Sequence, residues 1–308
     1  MPRRHVLLAL LVMLIWGANF VVIERGLDGV PPLVFVALRF LLIWPLIPFV
    51  PRPQAPWLHV ALVGLFLSVG QFGFLYSALA AGMPPGLASL VLQLQAAVTV
   101  VLAALLLSER PRLAQVAGVG IGVAGLILVA VGRGGHVPLM AFVLTILGAV
   151  SWAMGNVLVR RLRIQGGFSL TVWSALVVPV PMLALSLILD GPAEVSRALT
   201  HLSLVNWLST AYTAVLASLV GYTIWNSLLA RYPAATVAPF TLLVPPIGMA
   251  VAYLADGEVP TILAVVGAVV LISGVALTLI RPRIGTRRPL DPGPTGASAV
   301  PVSPPTPG

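Results

Sequence analysis

The segment ERPRLAQVAGVGIGVAG at residues 109–125 reappears as EVPTILAVVGAVVLISG at residues 258–274, and this repetition decides the fold. A glutamate, a proline and two glycines return at the same spacing of 149 residues. Nearer the start of the chain the offset shortens to about 137 and pairs Asn19 with Asn156. An internal repeat indicates the architecture before any single motif does. The chain is therefore predicted to consist of two related halves.

Each half contains five apolar stretches, an odd number, so the second half is predicted to enter the membrane from the opposite side. The composition, 59% hydrophobic and 8% charged, excludes a soluble globule, in which about a quarter of the residues are charged. Each stretch is close to the ~20 residues that a bilayer-crossing helix needs. The predicted spans are residues 6–24, 31–50, 57–80, 86–107, 112–132, 137–159, 168–189, 203–229, 234–255 and 261–280.

The predicted fold is an all-α polytopic membrane protein, with ten transmembrane helices in two inverted five-helix repeats. The first repeat covers residues 1–133 and the second covers residues 134–283. Residues 284–308 are rich in proline and have too little apolar surface to fold, so a disordered cytoplasmic tail is expected. Inverted repeats are typical of secondary transporters, in which two related units rock around a site at the midplane.

The distribution of arginine predicts the orientation in the membrane. If the N-terminus is cytoplasmic, thirteen arginines lie in inner segments, and only Arg25, Arg133 and Arg197 lie in outer loops. This positive-inside bias places both termini in the cytoplasm. It also explains the net charge of +9 without a nucleic-acid partner. The basic start MPRRH leaves a signal peptide as an alternative, although no small-residue cleavage site follows it.

The absence of lysine and cysteine narrows the possible chemistry. The chain has no P-loop lysine for ATP-driven transport and no thiol for a disulfide or a zinc site. Its four histidines lie at or near span ends without a metal-like pairing, and no G-x-S-x-G nucleophile motif is present. An intramembrane enzyme is kept only as an alternative from a different class. Neither a catalytic residue, a metal nor a cofactor is expected.

Arg39 is the one strongly charged side chain well inside a predicted span. A charge within the bilayer is costly and must face the bundle interior, a partner or water, so Arg39 is a candidate substrate-binding residue. The alternative is structural. In that case Arg39 would tie helix ends together by pairing with Glu24, which lies at a compatible depth, or with free carbonyls.

Uncharged polar and aromatic side chains inside the spans supply the other candidate site residues. An amide in hydrocarbon needs a partner, so the faces that carry these residues are expected to turn inward. Some would form hydrogen bonds between helices, and the others would line a cavity suited to a small amphipathic solute. Together with Arg39, the candidate substrate-binding residues are Trp16, Asn19, Gln71, Tyr76, Gln93, Trp152, Asn156, Tyr222, Trp225 and Asn226.

Three prolines, Pro239, Pro245 and Pro246, fall within the ninth span and predict a hinge. Proline removes backbone hydrogen bonds and kinks a helix. The equivalent stretch of the fourth span is VLQLQAAV, so amides in one half are expected opposite a proline-broken helix in the other. Interrupted segments at corresponding positions indicate the binding site of a transporter. A hinge without substrate contact is the alternative.

The sequence GIGVAG at residues 120–125 matches the dinucleotide-binding pattern, but it lies inside an apolar span. That pattern requires a preceding strand and a downstream acidic residue. Gly118, Gly122 and Gly125 instead share one helical face. Such a face lets two transmembrane backbones approach closely. Packing inside the repeat is expected, rather than a subunit interface.

Three motifs in this order resemble the drug/metabolite transporter superfamily, specifically its EamA-type branch: WGANF at 16–20, PPLVFVALRF at 31–40 and LLSERP at 106–111. The resemblance covers about residues 6–280. It implies an inner-membrane exporter of amino acids or related metabolites with a central cavity between the halves, and it is strongest to the aromatic amino acid exporters. The seventh span, SLTVWSALVVPV, departs from symmetry because it lacks an equivalent of Arg39.

The expected function is export of small metabolites, aromatic or other neutral amino acids above all, by alternating access. Arg39 or helix ends would receive the carboxylate, and aromatic rings would hold the side chain. Efflux of lipophilic cationic drugs is the alternative, since aromatic rings attract cations, but no span carries a deep carboxylate. The expected partners are a small-molecule substrate and the lipid bilayer, with no nucleic acid. The chain is expected to act as a monomer or a homodimer.

Overall fold

The computed structural model describes residues 1–108, 111–132, 137–162, 167–231, 238–257 and 259–279 of the 308-residue chain. All regular elements within these ranges are helical, which confirms the all-α class predicted for them. The Pro-rich stretch 284–308, Arg133 and the two equivalent glutamates, Glu109 and Glu258, lie outside the described residues.

The long helices are labelled α1 to α10 in chain order, and a short surface helix, Pro192–Thr200, lies between α7 and α8. The bounds are α1 Arg3–Gly26, α2 Pro32–Phe49, α3 Trp57–Ala80, α4 Pro85–Leu107, α5 Leu113–Gly132, α6 Leu139–Leu162, α7 Gly167–Leu189, α8 204–231, α9 238–256 and α10 Ile262–Leu279.

Seven of the described helices are long and apolar enough to cross a bilayer: α1 to α4 and α6 to α8. The apolar parts of α5, α9 and α10 are shorter, at 10–17 residues each. That all ten cross the membrane with both termini in the cytoplasm stays a prediction. Because the connections are short, successive helices run antiparallel. We call the end of the bundle that contains Arg3, Arg112 and Gly167 the proximal end, and the end that contains Gly26 and Asp256 the distal end.

The helices depart from α geometry at equivalent positions in the two halves. A π-helical turn spans Leu65–Gly70 in α3, and a second one, at the same place in the repeat, spans Tyr212–Val220 in α8. Helix α4 breaks after Val91 and resumes at Leu94. Its counterpart α9 has a 3-10 segment, Ala238–Leu243, at the corresponding position. Both α4 and α9 are therefore interrupted, at corresponding positions of the two halves.

Proline accounts for irregular segments in two further helices, α2 and α7, through one steric rule. Its ring clashes with the carbonyl four residues earlier, so the α-helix cannot continue through it. Helix α2 is α-helical only over Pro32–Leu41, which ends four residues before Pro45. Helix α7 changes to 3-10 geometry at Ala175–Val177, immediately before Pro179.

In α9 the two adjacent prolines begin the regular part of the helix. Pro245 and Pro246 lie in the first turn of Val244–Asp256, where their missing N–H groups would have no partner inside the helix. The side chain of Pro239 lies outside the described residues. The break in α4 has no proline. There the backbone N–H of Gln93 donates to the backbone carbonyl of Leu90 at 3.0 Å, which forms a tighter three-residue turn.

The two halves interlock, because the first helix of each half packs within the other half. Helix α1 packs against α8 and α9, and its counterpart α6 packs against α3 and α4. The pairs α2 with α7 and α5 with α10 also join the halves. The pairing is thus symmetric under exchange of the halves.

Glycine allows α5 and α10 to approach at backbone distance. A β-carbon on Gly267 would lie 2.7 Å from the amide nitrogen of Val129. One on Gly274 would lie 2.7 Å from the carbonyl oxygen of Gly118. The glycine face is a packing surface as predicted, but its partner helix belongs to the other half, not to the same repeat.

Substituting Gly267 with alanine should destabilise the protein, whereas substituting Gly120 should not. The Gly267→Ala methyl group meets backbone that cannot rotate away, so we expect a loss of about 1–3 kcal/mol in the free energy of unfolding. Around Gly120 a β-carbon would meet no atom within 4 Å. Gly120→Ala should therefore be neutral, or stabilising through helix propensity by up to ~1 kcal/mol. Unfolding of both variants in detergent measures this, and equal destabilisation would contradict the close approach.

Candidate functional site

A cavity of about 640 Å³ lies between the two halves. This volume falls within the ~300–1,000 Å³ that small-molecule sites occupy. Apart from aliphatic side chains and Gly167, the described lining residues are Trp16, Asn19, Phe20, Arg39, Phe40, Ser68, Gln71, Phe72, Gln93, Gln95, Thr99, Arg112, Gln115, Trp152, Asn156, Thr171, Ser174, Ser218, Tyr222, Trp225 and Thr241. None of them is an aspartate, a glutamate or a histidine.

The cavity extends from the middle of the bundle towards the proximal end. Its wall reaches Arg112 and Gln115 at the start of α5, and Gly167 and Thr171 at the start of α7. No described lining residue belongs to the distal connections. The cavity is therefore approached from the proximal end.

Polar contacts between the halves close the distal end. Arg25 at the end of α1 forms an ion pair with Asp256 at the end of α9. The side-chain amide of Asn206, at the start of α8, donates to the carbonyls of Gly26 and Asp28, each at 3.0 Å. Asn206 also forms a capping box with Ser203, which fixes its orientation.

Arg39 is buried at the wall of the cavity, with 1% of its surface exposed. Its Nε and Nη2 donate to the hydroxyl of Ser218 at 3.2 and 2.8 Å, and its Nη1 donates to the hydroxyl of Tyr76 at 2.9 Å. The guanidinium carbon lies 4.0 Å from the ring centre of Phe72, a cation–π contact. No ion pair joins Arg39 to a carboxylate in the described part of the chain. Pairing with Glu24, one form of the structural alternative, is not observed among the described residues.

The backbone of α2 favours a positive charge at this point. Arg39 lies in the last turn of the α-helical part Pro32–Leu41, which Pro45 terminates. The carbonyls at the end of a helix carry partial negative charge, so a cation is stabilised there. The same proline that breaks α2 thus puts Arg39 in the last turn of an α-helical segment, where the helix dipole favours a cation.

Ser218 lies within the π-helical turn of α8, and its hydroxyl is fully oriented. It accepts the two bonds from Arg39 and donates to the carbonyl of Thr213 at 2.9 Å. In the same turn the carbonyl of Ala217 accepts from the indole N–H of Trp16 at 2.9 Å. A π-helical turn leaves such carbonyls available, and these turns recur at functional sites.

The other π-helical turn is bound in a corresponding way. The carbonyl of Phe66 in α3 accepts from the hydroxyl of Ser151 in α6 at 2.8 Å. Each turn is therefore stabilised by a side chain from the first helix of the other half, since Trp16 belongs to α1 and Ser151 to α6. The indole N–H of Trp16 is consequently occupied by protein.

Three rings form an aromatic wall on the α1 and α8 side of the cavity. The ring of Trp16 lies 5.3 Å from that of Tyr222 and 5.5 Å from that of Trp225, in tilted arrangements. Such rings present flat apolar faces, and their quadrupole attracts positively charged groups.

The amide side chains at the cavity fall into two groups. Asn156 donates its Nδ2 to Oε1 of Gln95 at 3.1 Å and so joins α6 to α4. Asn19 and Gln71 are 8% and 3% exposed, and their side-chain oxygens, Oδ1 and Oε1, are buried without a hydrogen-bond partner in the described structure. A buried acceptor without a partner costs about 1–3 kcal/mol.

The structure brings most of the predicted site residues to one cavity. Those that line the cavity are Trp16, Asn19, Arg39, Gln71, Gln93, Trp152, Asn156, Tyr222 and Trp225. Tyr76 is fully buried behind the wall between the rings of Phe35 and Phe72, where it supports Arg39. The side chain of Asn226 lies outside the described residues. Neither Pro245 nor Pro246 lines the cavity, although their neighbour Val244 does.

Two residues with central contacts were not among those predicted, Ser218 and Phe72. Ser218 lies four residues before Tyr222, and Phe72 directly follows Gln71. The i, i+4 relation to Tyr222 would have placed Ser218 on the predicted cavity face. The described residues contain no group of three or more His, Cys, Asp or Glu side chains that could hold a metal ion.

Comparison with known proteins gives a consistent result. The EamA-like transporter family model matches residues 3–131 and again residues 139–280. A probable amino-acid metabolite efflux pump of Salmonella typhimurium is 41% identical over 291 residues, covering 92% of this chain and 97% of the relative. A protein of the same name from Escherichia coli is 42% identical over 286 residues, which cover 91% of this chain and 96% of that relative. A crystal structure sharing 21% identity has the same fold, with a TM-score of 0.61 over 90% of this chain and 96% of the other.

Removing the Ser218 hydroxyl should reduce stability only while Arg39 is present. We expect Ser218→Ala to lower the free energy of unfolding by about 1–3 kcal/mol, because it leaves a buried guanidinium without two of its bonds. In an Arg39→Met background the same substitution should cost much less. Ser227→Ala is the matched control, since that exposed hydroxyl bonds only within α8. Equal costs of Ser218→Ala in both backgrounds would rule out the coupling.

Proposed function

Because the chain belongs to the EamA-like transporter family, we propose that it exports amino acids or closely related metabolites from the bacterial cytoplasm. The substrate moves through the central cavity by alternating access between two inverted repeats. The observation that carries the proposal is the buried guanidinium of Arg39 at the cavity wall, which has no carboxylate partner among the described residues. The names of the two amino-acid metabolite efflux pumps support the same substrate class.

A substrate carboxylate complements this wall in charge and in hydrogen bonding. A guanidinium has five N–H donors, and three of those of Arg39 are used by Ser218 and Tyr76. The remaining two can bind a carboxylate, which gains a charge-assisted hydrogen bond in a site of low dielectric. Aromatic faces at Trp16, Tyr222 and Trp225 then pack against the side chain of the substrate.

The alternative substrate class, lipophilic cations, fits the wall less well. At ~8 Å and an effective dielectric constant of ~20, a cation and Arg39 would repel each other by about 2 kcal/mol. A cation–π contact contributes about 0.5–2 kcal/mol and only offsets this repulsion. The described lining contains no carboxylate that could tip the balance. An intramembrane enzyme gains no support either, since the described wall offers no histidine, aspartate or glutamate.

The proposed orientation places the protein in the inner membrane with both termini in the cytoplasm. The proximal end, which holds Arg3, Arg4 and Arg112, then faces the cytoplasm in accordance with the positive-inside rule. The cavity is approached from that end. The structure thus corresponds to a state that receives substrate from the cytoplasm, with the contacts of Arg25 and Asn206 closing the outer end.

Purified protein in vesicles should transport labelled alanine, serine, methionine or phenylalanine faster than protein-free vesicles do. Arg39→Gln should lower kcat/KM by about ten- to a hundredfold, since it removes a charge-assisted hydrogen bond of about 1.5–3 kcal/mol. Arg39→Lys should retain more activity because it keeps the charge. Folding of each variant is checked by gel filtration in detergent. Full transport by a folded Arg39→Gln variant would remove Arg39 from the site.

Closure of the distal end can be tested directly because the natural chain has no cysteine. Ser209, buried against the end of α1, should be protected as Ser209→Cys from a membrane-impermeant thiol reagent applied outside intact cells. His201→Cys, exposed beside it, should react in every background. Adding Asn206→Asp keeps the capping box but removes both donated bonds, so labelling of Ser209→Cys should rise about five- to a hundredfold.

Asp256→Asn should raise the same labelling far less, because an exposed ion pair contributes little. If Ser209→Cys reacts at the rate of His201→Cys without any second substitution, the distal end is open and the proposed state is wrong. If His201→Cys reacts only from the cytoplasmic side, the proposed orientation is wrong.

A further inference from the structure

We propose that Asn19 and Gln71 form a subsite for the α-ammonium group of the substrate, in the same cavity that Arg39 lines. This rests on the proposed function and adds to it that the substrate must carry a free amine. It is carried by a separate observation, the two buried amide oxygens without partners at the cavity wall.

Several polar groups of the cavity wall already have hydrogen-bond partners within the protein. The Trp16 indole N–H is bound to Ala217, and Asn156 is bound to Gln95. Ser218 is saturated by Arg39 and Thr213. Asn19 Oδ1 and Gln71 Oε1 are different, since neither has a partner in the described structure.

The two side-chain oxygens of Asn19 and Gln71 need hydrogen-bond donors. Both are carbonyl oxygens of amides, so they accept hydrogen bonds and require a donor. They are covered in the substrate-free cavity, so solvent in the cavity does not satisfy them as they stand. Each therefore costs about 1–3 kcal/mol, which a donor from the substrate recovers after a small rotation of the side chain. An ammonium group has three donors, enough to satisfy both oxygens.

Both charges of a zwitterionic substrate must also be balanced inside the cavity. A zwitterion leaves water only if both of its charged ends find partners, because an isolated buried charge is strongly destabilising. Arg39 provides for the carboxylate. With no carboxylate in the described lining, the acceptors left for the ammonium are amide oxygens, assisted by the aromatic faces. Asn19 on α1 and Gln71 on α3 come from the same half as Arg39, so one half would bind both ends of the substrate.

The test compares each amino acid of the panel, alanine, serine, methionine and phenylalanine, with its N-acetyl derivative, which keeps the carboxylate but loses the ammonium. Competition for uptake in vesicles and quenching of tryptophan fluorescence by the purified full chain are measured in parallel. We expect the N-acetyl derivative to bind about ten- to a hundredfold more weakly, the loss of a charge-assisted hydrogen bond. In Gln71→Leu and Asn19→Leu this preference should shrink to less than about threefold.

Two further variants separate recognition from a loss of structure. Gln95→Leu removes an amide of the same cavity whose oxygen already accepts a bond, so overall transport should fall while the preference for the free amine persists. Gln71→Glu keeps the acceptors and adds a negative charge. It should retain amino acid binding and gain binding of decarboxylated amines, such as phenethylamine, by at least about fivefold.

The outcomes are distinguishable. Absence of both transport and binding for all four amino acids overturns the proposed function and the subsite together. Transport of amino acids with equal competition by the N-acetyl derivatives overturns the subsite alone. Loss of amino acid binding in a folded Gln71→Glu variant would show that the amide acts as a donor, which also overturns the subsite.

Discussion

Hydrocarbon cannot hydrogen-bond, and every polar feature of this protein follows from that constraint. Amides, hydroxyls and charges in the spans depend on partners inside the bundle, so polar side chains from nine helices converge between the halves. Arg39 is the extreme case. Its charge is compensated by the hydroxyls of Ser218 and Tyr76, by the ring of Phe72 and by the partial negative charge at the end of its helix. The cavity is the space that remains between these converging polar side chains.

The same constraint applies to the backbone of the irregular helices. A π-helical turn or a broken helix releases carbonyls, which are tolerated only where protein or a cavity receives them. In both halves the π-helical turn is received by a side chain of the other half, Trp16 in one case and Ser151 in the other. Any relative movement of the halves therefore acts on these turns directly. The broken helices α4 and α9 contribute Gln93 and Thr241 to the wall.

The helix bounds were predictable to within a few residues, because bilayer thickness sets the length of an apolar span and prolines and glycines mark its ends. The inward turn of Asn19, Gln71 and Trp225 was predictable for the same reason. The partners were not. Ser218 is 179 residues from Arg39, and nothing local to either residue encodes their pairing. The break in α4 was also unpredictable, since no proline or glycine marks it. The glycine face of α5 predicted close backbone packing, but the sequence did not show that its partner is α10.

The interlocking of the halves sets the order in which the molecule can be completed. Trp16 finds its carbonyl 201 residues further along the chain. At ~5–20 residues per second, the ribosome needs about 10–40 s to deliver that carbonyl after α1 has emerged. During this interval the amide of Asn19 and the indole of Trp16 lie in the bilayer without α8 and α9. The nascent first half is thus an unfinished structure that depends on lipid headgroups, water or the insertion machinery for temporary partners. A chain truncated after α5 would be a client of quality control rather than a smaller transporter.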